Sequence, residues 1–322
     1  MSEPDPFSKP PSSSPSAAGL GRLWPLGALL VAALALCVGW YVTTLKLAQD
    51  LRQAAEALRA RGYQVEMADP HFGGFPYRMK VTVADLRMVA PSGWAVQLGP
   101  IEGEALLFDL GHWVFAVDNG LTVTRPVGGD VRIGAARLRA SLAALTAPTP
   151  RLAVEAVDLV LTTPPGARPF SLARADRIEI YSRTGVKDPT AAEALIRIDN
   201  ATLTPGTVAA TLFQDRRVSA ALSLRITRRD ALAGPDWSAA GRRWQAAGGR
   251  LEIDPTTPPG PDLRLAAGVG VLRFGPDGRP MGSVPLSLTA PDGTRKVELP
   301  VVFDPAGTHL GPVLLGPSPR LF

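Results

Sequence analysis

A single cysteine, Cys37, and only three histidines, His71, His112 and His309, stand among 322 residues, so neither a disulfide framework nor a structural zinc site can be assembled from this chain. The histidines are far apart, and none has a partner at H-x-x-x-H or H-E-x-x-H spacing, which argues against a metalloenzyme. The chain also lacks a G-x-S-x-G nucleophile elbow and a Walker loop. Gly268-Val269-Gly270 is the nearest approach to a dinucleotide fingerprint, but Arg273 stands where the third glycine should fall and no helix follows to aim amides at a pyrophosphate. Carboxylates that pair only in space leave no sequence pattern. The expectation is therefore a protein that is not an enzyme and holds no metal or cofactor. Aromatic residues are sparse at 6%, and none are interleaved with the basic groups as nucleic-acid binding requires.

The remaining composition is that of a globular chain, 46% hydrophobic and 20% charged, which rules out wholesale disorder and a polytopic membrane protein. Glycine and proline are abundant instead, at 32 each. Punctuation of that density favours many short strands over long helices. Without staples, the fold must rest on its hydrophobic core, which this length can supply.

From Leu23 to Val42 no residue carries a charge, and twenty residues rising ~1.5 Å each match a ~30 Å hydrocarbon layer. We read residues 22–42 as one transmembrane helix, with Trp24 at one end and Trp40 and Tyr41 at the other as headgroup-level anchors. A cleaved signal peptide is the competing reading, but the apolar run continues well past the small residues at Ala33-Leu34-Ala35. Residues 1–21 are rich in proline and serine and read as a disordered tail. Lys9 and Arg22 precede the span, whereas Lys46, Arg52, Arg59 and Arg61 follow it, a count that by itself places the C-terminal side in the cytoplasm.

Residues 43–62 read as a helical stalk, with Leu47, Leu51, Ala54 and Leu58 at helical spacing and Gly62 at its end. The default partner for that stripe is the protein's own body. From 63 to 322 the signals are those of strands: Met79, Val81 and Val83 alternate with Lys80, Thr82 and Ala84, and further candidates are 94–98, 101–108, 151–162, 176–182, 194–203, 218–227, 250–253, 263–274 and 283–290. Asn119-Gly120 has the chemistry of a two-residue hairpin turn, and Pro276-Asp277-Gly278 and Pro291-Asp292-Gly293 mark two further turns of an antiparallel meander. One helix is expected after Pro235-Asp236, with Trp237, Ala240, Trp244 and Ala247 on one face and Gly248 at its end. The fold class is thus mainly β: a transmembrane helix and stalk, then an antiparallel body that is either a curved open sheet or a sandwich. A division into halves would fall near 164–169.

The formal net charge of +5 belongs to the body, and arginine greatly outnumbers lysine. Arg216-Arg217, Arg228-Arg229 and Arg242-Arg243 form three pairs suited to bidentate contact with lipid phosphates, or simply to a solvated basic surface. Gly73-Gly74-Phe75-Pro76-Tyr77-Arg78 reads as a sharp turn off the stalk into a strand, with Phe75 and Tyr77 as apolar anchors. Its roles are docking the anchor on the sheet or contacting a ligand.

At this Gly73–Arg78 run the sequence resembles an alphaproteobacterial family of membrane-anchored proteins, domain of unknown function 2125. The run Pro169-Phe170-Ser171-Leu172, Gly248-Gly249-Arg250-Leu251, Gly275-Pro276-Asp277-Gly278-Arg279 and the closing Gly311–Pro317 segment add to the likeness. What the resemblance implies is a protein held in the inner membrane with its body in the periplasm, against the charge count. It carries no activity over to particular residues. The architecture is similar to that of AsmA-type envelope proteins at the level of fold. The expected partner is membrane lipid bound on an apolar sheet face, with no nucleic acid; the alternative is a closed sandwich that docks other envelope proteins.

Overall fold

The computed structural model describes residues 24–145, 147, 150–213, 216–233, 236–258, 262–294 and 296–322. The expected tail of residues 1–21, and the side chain of Trp24, lie outside them. Helix α1 runs without a break over Trp24–Arg59, so span and stalk are one rod of 36 residues, ~54 Å at 1.5 Å per residue. Its part from Ala28 is long and apolar enough to cross a membrane. Leu29, Leu30, Val31, Leu34 and Val38 lie exposed along it. The C-terminal half instead packs on the body through Trp40, Leu47 and Leu51. Ala55 is buried and Ala54 exposed, so the stripe continues one residue later than the spacing from Leu47 suggested. The rod ends at Arg59, and Gly62 in the turn after it, with φ of 84°, lets the chain reverse; the Arg59 guanidinium donates to the Val65 carbonyl at 2.7 Å.

Five interrupted strands follow: β1 (Gln64–Met67) and β2 (His71–Gly73), β3 (Arg78–Val83) and β4 (Leu86–Val89), β5 (Ala95–Leu98) and β6 (Ile101–Leu106), β7 (Asp109–Val117) and β8 (Leu121–Arg125), β9 (Gly129–Gly134) and β10 (Arg137–Ala143). In one half of the sheet β2, β3, β6, β7 and β10 pair in that order, and in the other half β1, β4, β5, β8 and β9. Both halves meet the long strand β11 (Arg151–Thr162), which pairs with β10 near its start and β9 near its end. From β11 a meander continues through β12 (Leu172–Thr184), β13 (Ala192–Leu203) and β14 (Val218–Ile226). The flanks of the 164–169 segment, β11 and β12, are paired along most of their length. Then come β15 (Leu251–Asp254), β16 (Leu263–Ala267), β17 (Gly270–Phe274), β18 (Pro280–Thr289), β19 (Lys296–Asp304), β20 (Gly307–Leu310) and β21 (Val313–Gly316). Among the described residues the 21 strands belong to one hydrogen-bonded sheet, antiparallel except where β14 runs parallel to β16.

The Asn119-Gly120 hairpin does not form. Both edges of β7 are occupied, by β6 and β10, which leaves no edge on which β8 could fold back. Gly120 keeps its positive φ of 68° but serves the break between β7 and β8, where a Cβ would strike the Ile133 carbonyl. The two Pro-Asp-Gly turns do join antiparallel neighbours, β17 to β18 and β18 to β19. Helix α2 (Val208–Phe213) sits between β13 and β14 and has no signal that the sequence reading caught. The expected amphipathic helix is α3 (Trp237–Ala246), capped by Asp236, whose side chain accepts from the Ser238 and Ala239 amides. Trp244 is buried with Phe274 and Phe322, whereas Trp237 is exposed and donates to the Leu321 carbonyl at 2.6 Å.

The strand breaks have a common consequence. Inward apolar residues step by two along a strand, but at the breaks the step is three: Val83 to Leu86, Leu98 to Ile101, Ala156 to Leu159, Ala175 to Ile178 and Ile198 to Ala201. An extra residue placed at corresponding points of neighbouring strands preserves their mutual register and returns the apolar side chains to the same face. Asp158 and Asn200 take φ of 52° there. Asn200 donates from Nδ2 to Asp176 at 2.8 Å, and its amide donates to Ser219 Oγ at 3.0 Å, tying β12, β13 and β14 together along the line.

Candidate functional site: an apolar sheet face and its anchor

Strand alternation sorts the sheet into two chemically different faces. On one, register places Phe72, Val81, Gly103, Phe115, Ala140, Val154, Ile180, Ile196 and Leu222 in a row that crosses nine strands. Gly103 leaves room for the Phe115 ring, which a Cβ would approach to 2.8 Å. The opposite face carries cross-strand ion pairs: Lys80 with Glu102 at 2.6 Å, Arg177 with Glu155 at 3.2 Å, and Arg197 with Glu179 at 3.2 Å. Asp199 joins this charged face, and burial, reinforced by Glu179 and opposed by Arg197, pushes its carboxyl up from the ordinary range.

The large buried clusters of the apolar face lie at its ends, although Ala156, Leu159, Ala175, Ala201 and Val218 are also buried along the line of breaks in β11 to β14. At the first strands Met79, Val81, Val83, Ala105 and Trp113 are closed off by Trp40, Leu47 and Leu51 of α1. At the last strands Ile253, Ala267, Leu272 and Val284 form one cluster and Trp244, Phe274 and Phe322 another. Between them Leu152, Val154, Ile178, Ile180, Ile196 and Ile198 remain partly exposed. There an open cleft of about 260 Å³ is lined by Ile196, Ile198, Ala220, Leu222, Leu265 and Leu286, from strands β13, β14, β16 and β18. None of these residues was singled out from the sequence, because what makes them a site is the pairing of strands up to ninety residues apart.

The Gly73–Arg78 run does not turn off the rod as expected, because β1 and β2 come between; it is the turn from β2 to β3, and it lies against the rod at Trp40. Gly73 ends β2 and Arg78 begins β3, with Pro76 in the turn rather than at the head of the strand; the Phe75–Pro76 bond is cis. Gly74 has φ of 92°, and a Cβ on it would come within 2.8 Å of the Arg78 carbonyl, so only glycine fits the turn closed by the Arg78 amide donating to the Gly74 carbonyl at 2.9 Å. The Trp40 indole donates to the Arg78 carbonyl at 3.1 Å and meets the Phe75 ring edge-on at 5.9 Å. Arg78 itself pairs with Glu104 at 2.6 Å on the charged face. Tyr77 and Tyr41 stay exposed.

The arginine pairs divide. Arg216-Arg217 precede β14 and Arg228-Arg229 follow it, so ten residues, ~33 Å of extended chain, separate them. Arg228 (φ 52°) and Arg229 stand at the start of a short 3-10 helix, Arg229–Leu232, against which α3 with Arg242 and Arg243 packs. Arg229 donates to the Pro189 carbonyl at 2.7 Å, Arg242 to Ser238 Oγ at 2.7 Å, and Arg243 to the Ala233 carbonyl. Next to them a polar cleft of about 680 Å³ mixes Arg225, Arg228 and Arg250 with Asp188 and Glu252. The Asp188 carboxyl is held below the ordinary range by the Thr190 hydroxyl and amide that donate to it. Among the described residues, no three His, Cys, Asp or Glu side chains are grouped so that they could hold a metal ion.

The family model described as "Uncharacterized protein conserved in bacteria (DUF2125)" matches residues 40–297. No curated protein and no solved structure matches the chain. The matched region begins at Trp40, the residue on which the rod docks, and takes in the interrupted sheet and the cleft.

Proposed function

The chain belongs to the DUF2125 family of bacterial proteins, and from its architecture we propose that it is a single-pass, membrane-anchored envelope protein that binds or shuttles lipid or another hydrophobic ligand on the apolar face of its sheet. The observation that carries this reading is the partly exposed stretch of that face between its two sealed ends, with the cleft at Ile196, Ile198, Leu222, Leu265 and Leu286. Apolar surface left open on a body tethered beside a bilayer has hydrocarbon as its natural complement. The cleft lies below the ~300 Å³ of drug-sized pockets, so it suits a stretch of one acyl chain, with the rest of the ligand extending along the row. Arg228, Arg229, Arg242 and Arg243, brought together around the 3-10 helix and α3, offer cationic donors to a phosphate headgroup.

The body is assigned to the periplasm and the anchor to the inner membrane. A C-terminal alkaline phosphatase fusion should be active; an inactive fusion beside an active cytosolic reporter would reverse the orientation. Ligand binding is tested by purifying the full chain and measuring co-purified lipid by mass spectrometry. Lipid should be retained by the parent chain and reduced in Leu222→Glu; a stable parent that carries none excludes the reading and leaves a scaffold for envelope proteins.

A further inference from the structure

We propose that the body rests on the bilayer through a second, non-helical contact: a rim formed by the β2–β3 and β6–β7 turns that enters the headgroup layer beside α1. This rests on α1 being a membrane anchor and adds to it a surface and a depth. Four apolar side chains protrude at this edge, Phe75 (50% exposed), Tyr77 (66%) and Phe108 (79%) from the two turns and Leu106 (42%) from the end of β6. Packing leaves them uncovered although Gly74 and the neighbouring strands hold their backbone firmly. The turns are fixed side by side, because the Leu107 amide donates to the Tyr77 carbonyl at 2.9 Å and Arg78 pairs with Leu106 in the ladder.

The level of the rim is set by Trp40. Its indole donates to Arg78 and touches Phe75, and it stands at the end of the uncharged run of α1, where a span begun at Leu23 meets the interface. Trp40, exposed Tyr41, Phe75, Tyr77 and Phe108 therefore lie near one depth and reproduce on a β body the aromatic belt of membrane proteins. Exposure alone does not make the assignment, since Trp94 (48%) in the β4–β5 turn is also uncovered. That turn lies at the other end of the packed rod, where Gly62 faces Pro91, about 30 Å farther along α1. A lipid surface is thus the occupant for the first pair of turns and not for the second. Two contacts in place of one restrict the body's swing about the anchor and keep the apolar face at a fixed height above the lipid.

The full chain, carrying Cys37→Ser, is reconstituted in phosphatidylethanolamine and phosphatidylglycerol vesicles with single cysteines introduced as Leu34→Cys, Tyr77→Cys, Phe108→Cys or Trp94→Cys and labelled with a small fluorophore. Lipids brominated next to the headgroup should quench the labels at 77 and 108 and leave the label at 94 bright; lipids brominated deep in the chains should quench the label at 34. A quenched label at 34 with bright labels at both 77 and 108 overturns the rim while keeping the anchor. A bright label at 34 overturns the anchor and the rim together, and equal quenching at 94 and 108 overturns the assignment of this end. Reading the rim at two positions guards against one variant that misfolds.

Discussion

Single residues decide how closely the two faces can be packed. Gly103 lies under Phe115 in the apolar row, and valine there would overpack the layer, so Gly103→Val should lower stability by about 1–3 kcal/mol in chemical denaturation. Asn200 occupies a left-handed conformation at the line of strand breaks. Asn200→Ala should cost roughly 1–2 kcal/mol there, and Asn200→Gly less, since glycine adopts that backbone freely. Asp199 gives a pH signature. Its pKa is raised in the folded state, so the folded protein holds this proton longer and the group's contribution falls as pH climbs from the ordinary carboxylate value through the raised one. Asp199→Asn should therefore lose less stability than the parent over that interval and be at least as stable at neutral pH, as read by melting temperature against pH. A parent and variant with parallel pH profiles would show that Asp199 titrates normally.

Elements were legible from sequence where the signal is local, and hidden where it depends on partners. Alternation around Met79, Val81 and Val83 and the two Pro-Asp-Gly turns appear where strand periodicity and turn chemistry place them. Asn119-Gly120 has equally good turn chemistry, yet β7 is taken on both edges, a fact that lies in other strands. The three-residue steps were invisible for the same reason: each looks like a lapse in alternation until the neighbouring strand shows the same lapse at the same height. The rod was legible in length but shifted by a residue in its packing stripe, because the sheet surface selects Ala55 over Ala54. Leu47 and Leu51 seal the first apolar cluster, so Leu51→Asp should place a charge against that cluster, cost several kcal/mol and make the body sensitive to protease while the protein stays in the membrane. Solubilisation of the variant together with loss of the sheet would instead mean that rod and body form one unit that cannot part.

At the scale of the molecule, a rod that is bare at one end and packed at the other leads into a single sheet with one charged and one apolar face. The Gly73–Arg78 run was readable as a turn but not as the one between β2 and β3; the cleft was not readable, because its lining comes from β13, β14, β16 and β18, which only the finished sheet brings together. Our central claim is that this face, rather than the charged one, carries hydrocarbon. Ile196 and Arg197 are adjacent on β13 and point to opposite faces, so they offer a direct comparison. A photoreactive amino acid at each position, in the full chain within membranes containing radiolabelled phospholipid, should cross-link lipid at 196 and not at 197. Lipid captured equally at both positions, or at neither, in a folded protein would contradict the account.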